Sequence, residues 1–229
     1  MAERLLTDAE LALEILKYEP VPSLPRPGLY GLLVLTVRDR DGRVVERRVV
    51  KTRSPTQNLL YFLAGYYYST CQSGCYVSTS YPDSTSASSG SYFGGVANCY
   101  YPGSTSFSNL AIIVGSGAQS SPYTACCLQY PLTTSQVTYG PPSVSSTVGA
   151  SGYEAYVAIS ETVYNGSSSS LSVSEIGIFA YLTINPNPGS SWTSSNTGWF
   201  LVWYDVLSTP VTLGPGQYLS ITYVFVANP

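Results

Sequence analysis

The chain has 229 residues, enough to bury a sizeable core as one large domain or as one domain with an arm. Hydrophobic residues make up 44% and charged ones only 10%, so the chain is not a disordered one, and its polar surface must come from hydroxyls, amides and glycine. All ten Lys and Arg residues lie between Arg4 and Arg53; residues 1–53 carry +2 and residues 54–229 carry −5 with no His, which excludes nucleic-acid binding by the larger part.

The segment TDAELALEILKYEP opens with a capping box, Thr7 on the amide of Glu10 and Glu10 reaching back. Leu5, Ala9, Ala12, Leu13 and Leu16 recur at helical spacing and predict an amphipathic helix that needs a surface to dock on. Leu5, Leu6, Leu13 and Leu16 are its candidate assembly contacts, expected to pack on an adjacent copy. Pro20 ends the helix, and PVPSLPRPG is a stiff connector, so residues 1–29 read as an arm and 30–229 as the main domain. Glu3, Asp8, Glu10 and Glu14 interrupt any apolar h-region, so no secretory signal is expected.

In YGLLVLTVRDRDGRVVERRVVKT two β-branched runs flank Asp41-Gly42, which predicts a hairpin. Its cations alternate with Asp and Glu, the pattern of a solvated hairpin rather than of a surface for an acidic partner. In SPTQNLLYFLAGYY, Ser54 as a cap and Pro55 in the first turn predict a short buried helix ending near Gly65. Leu59–Tyr68 is the longest nearly apolar run, far short of the ~20 residues of a membrane span.

Residues 66–108 form a Ser, Thr, Tyr and Gly tract with few aliphatics, expected to be a surface insertion. Five cysteines, Cys71, Cys75, Cys99, Cys126 and Cys127, cannot all pair internally; they are candidate disulfide residues, Cys71 with Cys75 and Cys99 with one of the 126/127 pair. CQSGC and CC without any His fit zinc poorly, so no metal and no cofactor are expected. Tyr76, Tyr81, Tyr92, Tyr100 and Tyr101 have too few aliphatic neighbours to hide behind and are candidate surface contacts for a sugar ring or a protein.

Strand-like runs then return in NLAIIVGSG, SQVTYG, GYEAYVAISETVY, LSVSEIGIFAYLTI, GWFLVWYDVL and QYLSITYVFVA, each bounded by Gly, Pro, Asn or Ser. Their rhythm predicts an all-β antiparallel sandwich or barrel. Trp199, Phe200 and Trp203 read as core, and Asn165-Gly166-Ser167 is a sequon that makes Asn165 a candidate glycosylation site. Catalysis finds little support. Without His there is no nucleophile–base pair, and Glu154 and Glu161 have opposite strand parity. Glu175 and Asp205 sit in separate strands, where the simpler role is to satisfy backbone amides or a tyrosine hydroxyl at a turn. No catalytic residue is assigned, and the chain is not expected to be an enzyme.

The order of four pieces resembles β-rich structural modules of tailed-phage and archaeal-virus virion proteins, of tail-fibre, baseplate or capsid-decorating type. KTRSPTQNLLYFLAG resembles a strand followed by a short helix. NLAIIVGSGAQSSPYTACCLQYPL is similar to a strand, a Gly-x-Gly turn and a leucine some ten residues on. SVSEIGIFAYL is similar to an acid followed by an apolar-Gly-apolar-aromatic strand, and FLVWYDVLSTPVTLGPGQYLSITYVFVA to a strand, a Pro-Val step, a Gly-rich turn and a closing strand. The likeness spans about residues 31–229, and Tyr204 stands where those proteins usually carry Arg. It implies assembly, and with the helical arm read from residues 1–29 the expectation is a jelly-roll sandwich that serves as a self-assembling subunit of a virion surface filament or fibre. Its partner would be itself, with no nucleic acid and no membrane span, made in the host cytoplasm and exposed on the released particle. The alternatives are an attachment spike for a host cell-surface glycan or protein, using the Tyr-rich tract, and an archaeal surface or pilus subunit.

Overall fold

The computed structural model describes residues 28–52, 55, 56, 59, 110–120, 125, 127–148, 155–184 and 196–228. The predicted N-terminal helix, its connector, the Tyr66–Ser108 insertion and, apart from Pro55, Thr56 and Leu59, the short buried helix lie outside the described residues. Nine strands follow one another: β1 (Gly28–Arg38), β2 (Val44–Thr52), β3 (Leu110–Gly115), β4 (Val137–Tyr139), β5 (Ser143–Val148), β6 (Ala155–Asn165), β7 (Leu171–Ile184), β8 (Asn196–Leu213) and β9 (Tyr218–Asn228). They form two antiparallel sheets, one ordered β2-β1-β9-β6-β4 with β5 also on β6, the other β3-β7-β8. The described residues are almost entirely strand, the all-β class that the strand rhythm predicts. It divides into two compact units, the first made of Met1–Arg53, Thr134–Leu171 and Thr212–Pro229, the second of Ser54–Thr133 and Ser172–Val211.

In the first unit the Asp41-Gly42 hairpin forms as expected. Gly42 takes a φ of 81°, a conformation open to glycine at little cost, and Asp39 Oδ1 accepts from the amides of Asp41 (3.0 Å) and Arg43 (2.8 Å). β1 is the most buried strand of this sheet, closed on both faces from Gly31 to Val37. Register sorts these side chains, since directly paired residues share a face. Leu33, Leu35 and Val37 lie beside Tyr223, Ile221 and Leu219 of β9, which continue to Ile159, Glu161 and Val163 of β6. That broad face stays buried across three strands and on to Val137 and Tyr139 of β4. Each fully buried aliphatic side chain there contributes roughly 1.5–3 kcal/mol relative to exposure. The opposite face is buried over a narrower strip, at Leu32, Val34 and Thr36 of β1 and Thr222 and Val224 of β9.

The second unit is built on β7, whose Val173–Phe179 stretch is buried throughout. Both neighbours of β7 have their outer edges partly occupied. Thr56 donates its amide to Val202 O (3.2 Å) and its hydroxyl to Leu201 O (2.7 Å), capping β8. On the other side Ser116 N donates to Tyr130 O and Leu132 N to Val114 O, both at 2.9 Å, so residues 130–132 cap the end of β3. Capping of this kind keeps a sheet edge from recruiting another strand. β5 is the one strand that the sequence reading leaves out. SVSSTV offers too few apolar residues for a periodic signal, and its pairing with β6 decides its conformation.

Candidate functional site

Register places Glu175 of β7 opposite Gly115, the last residue of β3. The fully buried Glu175 carboxylate lies across that glycine and fills its two oxygens with four donors. Oε1 accepts from the amides of Gly117 (3.1 Å) and Tyr130 (2.7 Å); Oε2 accepts from the amide of Gln129 (2.9 Å) and the hydroxyl of Tyr204 (2.7 Å). Gly-x-Gly is what lets the carboxylate approach. A Cβ at Gly115 would come within 2.6 Å of Tyr130 O and closer still to Glu175 Oε1, and one at Gly117 would lie 2.7 Å from the same oxygen.

Neighbouring bonds knit the loop that Glu175 holds. Gln119 N donates to the Tyr204 hydroxyl (3.1 Å), Gln119 Nε2 to Cys127 O (2.7 Å) and Ala118 N to Gln129 Oε1 (3.0 Å). Ser174 Oγ donates to Gly117 O (2.7 Å). While its amide is fixed on Glu175, the side chain of Tyr130 is 62% exposed, the highest value among the large hydrophobic residues described. Pro131, which follows it, restricts the backbone conformations open to Tyr130. A rigid backbone thus presents a free aromatic ring.

Burial, then its hydrogen bond to Glu175 and the charge there, push the Tyr204 hydroxyl far above the ordinary tyrosine range, and the Gln119 amide opposes them only in part. A raised acid stabilises the fold fully below the unfolded pKa of ~10, and that stability is lost as pH rises from there through the folded value. Tyr204→Phe is expected to cost about 1.5–3 kcal/mol at pH 7, as for a bond to a charged acceptor. Urea titrations of the two proteins should show this difference constant below pH ~10 and shrinking above it. A difference that stays level to pH 11 would mean that Tyr204 does not titrate this way.

Asp205 accepts from Trp203 Nε1 (3.0 Å) and, one residue from Tyr204, belongs to the other side of β8. Glu175 and Asp205 therefore make no catalytic pair; Glu175 has the amide-and-tyrosine role that its sequence context predicts. Glu161 is buried on β6, and Glu154 lies outside the described residues. Trp203 is core, while Trp199 is half-buried with its ring 5.2 Å from that of Tyr181; nothing is described of the Phe200 side chain.

Asn165 is corrected as a glycosylation candidate. It is fully buried, and its Nδ2 donates to Ser169 O and Leu213 O, both at 2.8 Å. A glycan on that nitrogen would break one of these bonds and need space that the core occupies. Cys127 is disulfide-bonded. Cys71, Cys75, Cys99 and Cys126, the arm residues Leu5, Leu6, Leu13 and Leu16, and Tyr76, Tyr81, Tyr92, Tyr100 and Tyr101 lie outside the described residues. Among the described residues no helix is long and apolar enough to cross a membrane, and no His, Cys, Asp and Glu side chains cluster as metal ligands. Tyr130 was missed by the sequence reading; its signal, an aromatic before proline in LQYPL, is weak alone. Comparison of the chain with protein-family models, with curated proteins and with solved structures finds no match.

Proposed function

We propose that the protein is a structural subunit of a virion that joins copies of itself into a surface filament or fibre and carries out no catalysis. The jelly-roll arrangement and the exposed position on the released particle belong to the same proposal. The observation that carries it is the use made of Glu175. All four of its donors are spent on fixing a loop, and that loop offers Tyr130 to solvent. Aromatic side chains on rigid backbone are the usual anchors of protein contacts, because little conformational entropy is lost when they are covered.

A polymer that does not close needs two different surfaces on each copy. The second is the outer edge of β5. Its residues Ser143–Val148 carry no charge, Val144 is 59% exposed, and among the described strands β5 pairs only with β6. The other end of the same sheet is unsuited to this, since β2 bears Glu46, Arg47, Arg48 and Lys51. Charged side chains on an edge strand discourage further pairing, and hydroxyl-rich uncharged ones permit it.

Negative-stain imaging of the purified chain should show filaments. Tyr130→Ser and Ser145→Lys should each abolish them while shifting the denaturation midpoint little, because both positions are exposed. Single particles of the unchanged protein at high concentration would overturn the proposal. Normal filaments of Tyr130→Ser that no longer attach to host cells would favour the attachment reading.

A further inference from the structure

Towards the hairpin end, the face of the first sheet that carries Leu32, Val34 and Thr36 changes character. Register sets Arg38 of β1 beside Tyr218 of β9, Tyr218 beside Tyr164 of β6, and Tyr164 beside Thr138 of β4. Directly paired residues share a face, so these four make one row across four strands. With neighbouring strands about 4.8 Å apart, the row is about 14 Å long. The next row inwards, Arg47, Thr36, Ser220 and Thr162, brings a second guanidinium and three hydroxyls to the same face.

The two tyrosines form the centre of this surface. Their ring centroids lie 4.8 Å apart at an interplanar angle of 37°. Tyr218 is 39% exposed and Tyr164 half-buried, and Thr138 and Thr162 beside them are exposed. Both rings stand on backbone that is tied down. Asn165 N donates to Gln217 O (3.0 Å) and Gly216 N to Asn165 O (2.9 Å), which extends the β6–β9 ladder past the Tyr164–Tyr218 pair into the turn. Covering rings presented in this way costs little conformational entropy.

Charge is placed at one end of the row. Arg38 Nη1 donates to Gly42 O (3.1 Å), which uses one of the five donors of its guanidinium and ties it to the hairpin. The Arg40 guanidinium lies against Gly216, in the turn that leads into Tyr218, where a Cβ would collide with it. Arg47 Nε donates to Thr36 Oγ1 (3.1 Å). No cation follows Arg53 in the chain, so the hairpin brings to these tyrosines a charge that β6 and β9 themselves cannot supply.

The chemistry of the surface selects among partners. The core of a protein contact is apolar and poor in charge, whereas this row and the next combine the rings with hydroxyls and guanidinium groups. A nucleic acid needs a run of cations along its phosphates, and here Asp39, Asp41 and Glu46 stand among the Arg residues.

We infer that the face centred on Tyr164 and Tyr218, with Arg38 and Arg40 at its charged end, is a binding site for an anionic sugar chain. Sugar rings stack on the two tyrosines, whose faces are apolar and whose hydroxyls are not. Ser220, Thr162 and Thr138 meet the hydroxyls of the sugar, and the fork of Arg38 takes its carboxylate or sulfate. None of these residues lies in β5 or in the Tyr130 loop, so the inference stands or falls apart from the assembly proposal.

The test is to apply the labelled full chain to an array of glycans bearing uronic acids, glycans bearing sulfate, and uncharged counterparts of both. The acidic glycans should be retained and the uncharged ones not, and the set retained identifies the acid group as carboxylate or sulfate. Calorimetric titration with the best-retained glycan should show Tyr218→Thr weakening binding by about tenfold or more, as for the loss of a stacked anchor. Threonine keeps the strand propensity of the position. Arg38→Gln should weaken binding by about tenfold and make the remainder less sensitive to salt. Thermal midpoints show whether the variants are folded; should Tyr218→Thr not be, Arg38→Gln carries the test. Equal retention of charged and uncharged glycans, or undiminished binding by folded Arg38→Gln, would overturn the inference. So would the retention of no glycan, which would leave this face to a protein partner.

Discussion

Glu175→Ala is expected to destabilise the protein by about 4 kcal/mol or more, the largest effect of any single substitution named here. Removal of the carboxylate leaves the amides of Gly117, Gln129 and Tyr130 and the Tyr204 hydroxyl without their common acceptor. A buried donor without a partner costs roughly 1–3 kcal/mol, and the lower figure suits the Gln129 and Tyr130 amides, which water reaches in part. Glu175→Gln keeps one acceptor oxygen but turns an NH₂ towards donors, so about half that loss is expected. Urea denaturation followed by tryptophan fluorescence reads both, because Trp203 lies next to Tyr204 in β8. Glu175→Ala should also loosen the loop from 116 to 130, visible as faster hydrogen exchange at Gly117 and Tyr130. A loss below 1 kcal/mol would mean that the cradle does not hold the loop.

Asn165→Ala is expected to cost about 3 kcal/mol, from the first unit. Asn165 ends β6, and its side chain joins two turns. Nδ2 donates to Ser169 O in the turn before β7 and to Leu213 O at the end of β8, while Oδ1 accepts from the amide (3.0 Å) and hydroxyl (2.7 Å) of Ser167. Its backbone adds bonds to Gly216 and Gln217 in the turn before β9. Asn165→Asp should be nearly as harmful, because a carboxylate cannot donate to the two carbonyls. Thermal unfolding by calorimetry tests both substitutions. If Asn165→Asp were as stable as the parent, the donor role assigned to Nδ2 would be wrong. The same bonds should slow deamidation of Asn165-Gly166 in the folded chain, since the side chain cannot reach the geometry of attack without leaving them.

Much of the fold could be read in the residues, and the reasons differ from place to place. Hydrophobic periodicity marked β1, β2, β6, β7 and β9, because each has enough β-branched or aromatic residues to carry it. β5 carried no such mark, and β8 runs on through Pro210, where a proline in the sequence suggests an end. The site was visible only in pieces. Gly115-x-Gly117, Glu175 and Tyr204 were each noticed, but they are 29 to 89 residues apart in sequence, and nothing local says that one carboxylate joins them. Asn165 shows the opposite failure. Its sequon is a local signal with a surface meaning, weak by itself, and pairing with the 213–217 turn puts the side chain inside.

The place of β9 has a consequence for how the protein is made. This strand lies between β1 and β6, and its pairing Gly28↔Asn228 joins positions about two hundred residues apart. The strand that binds both halves of this sheet is thus translated after every other described strand, long after β1 and β2. The hairpin must wait through the synthesis of the residues between them with the β9 side of β1 unpaired, at speeds of roughly 5–20 residues per second. Polypeptides stalled before residue 218 would expose Leu33, Leu35 and Val37 to any chaperone or protease nearby, so cellular quality control would fall hardest on incomplete copies.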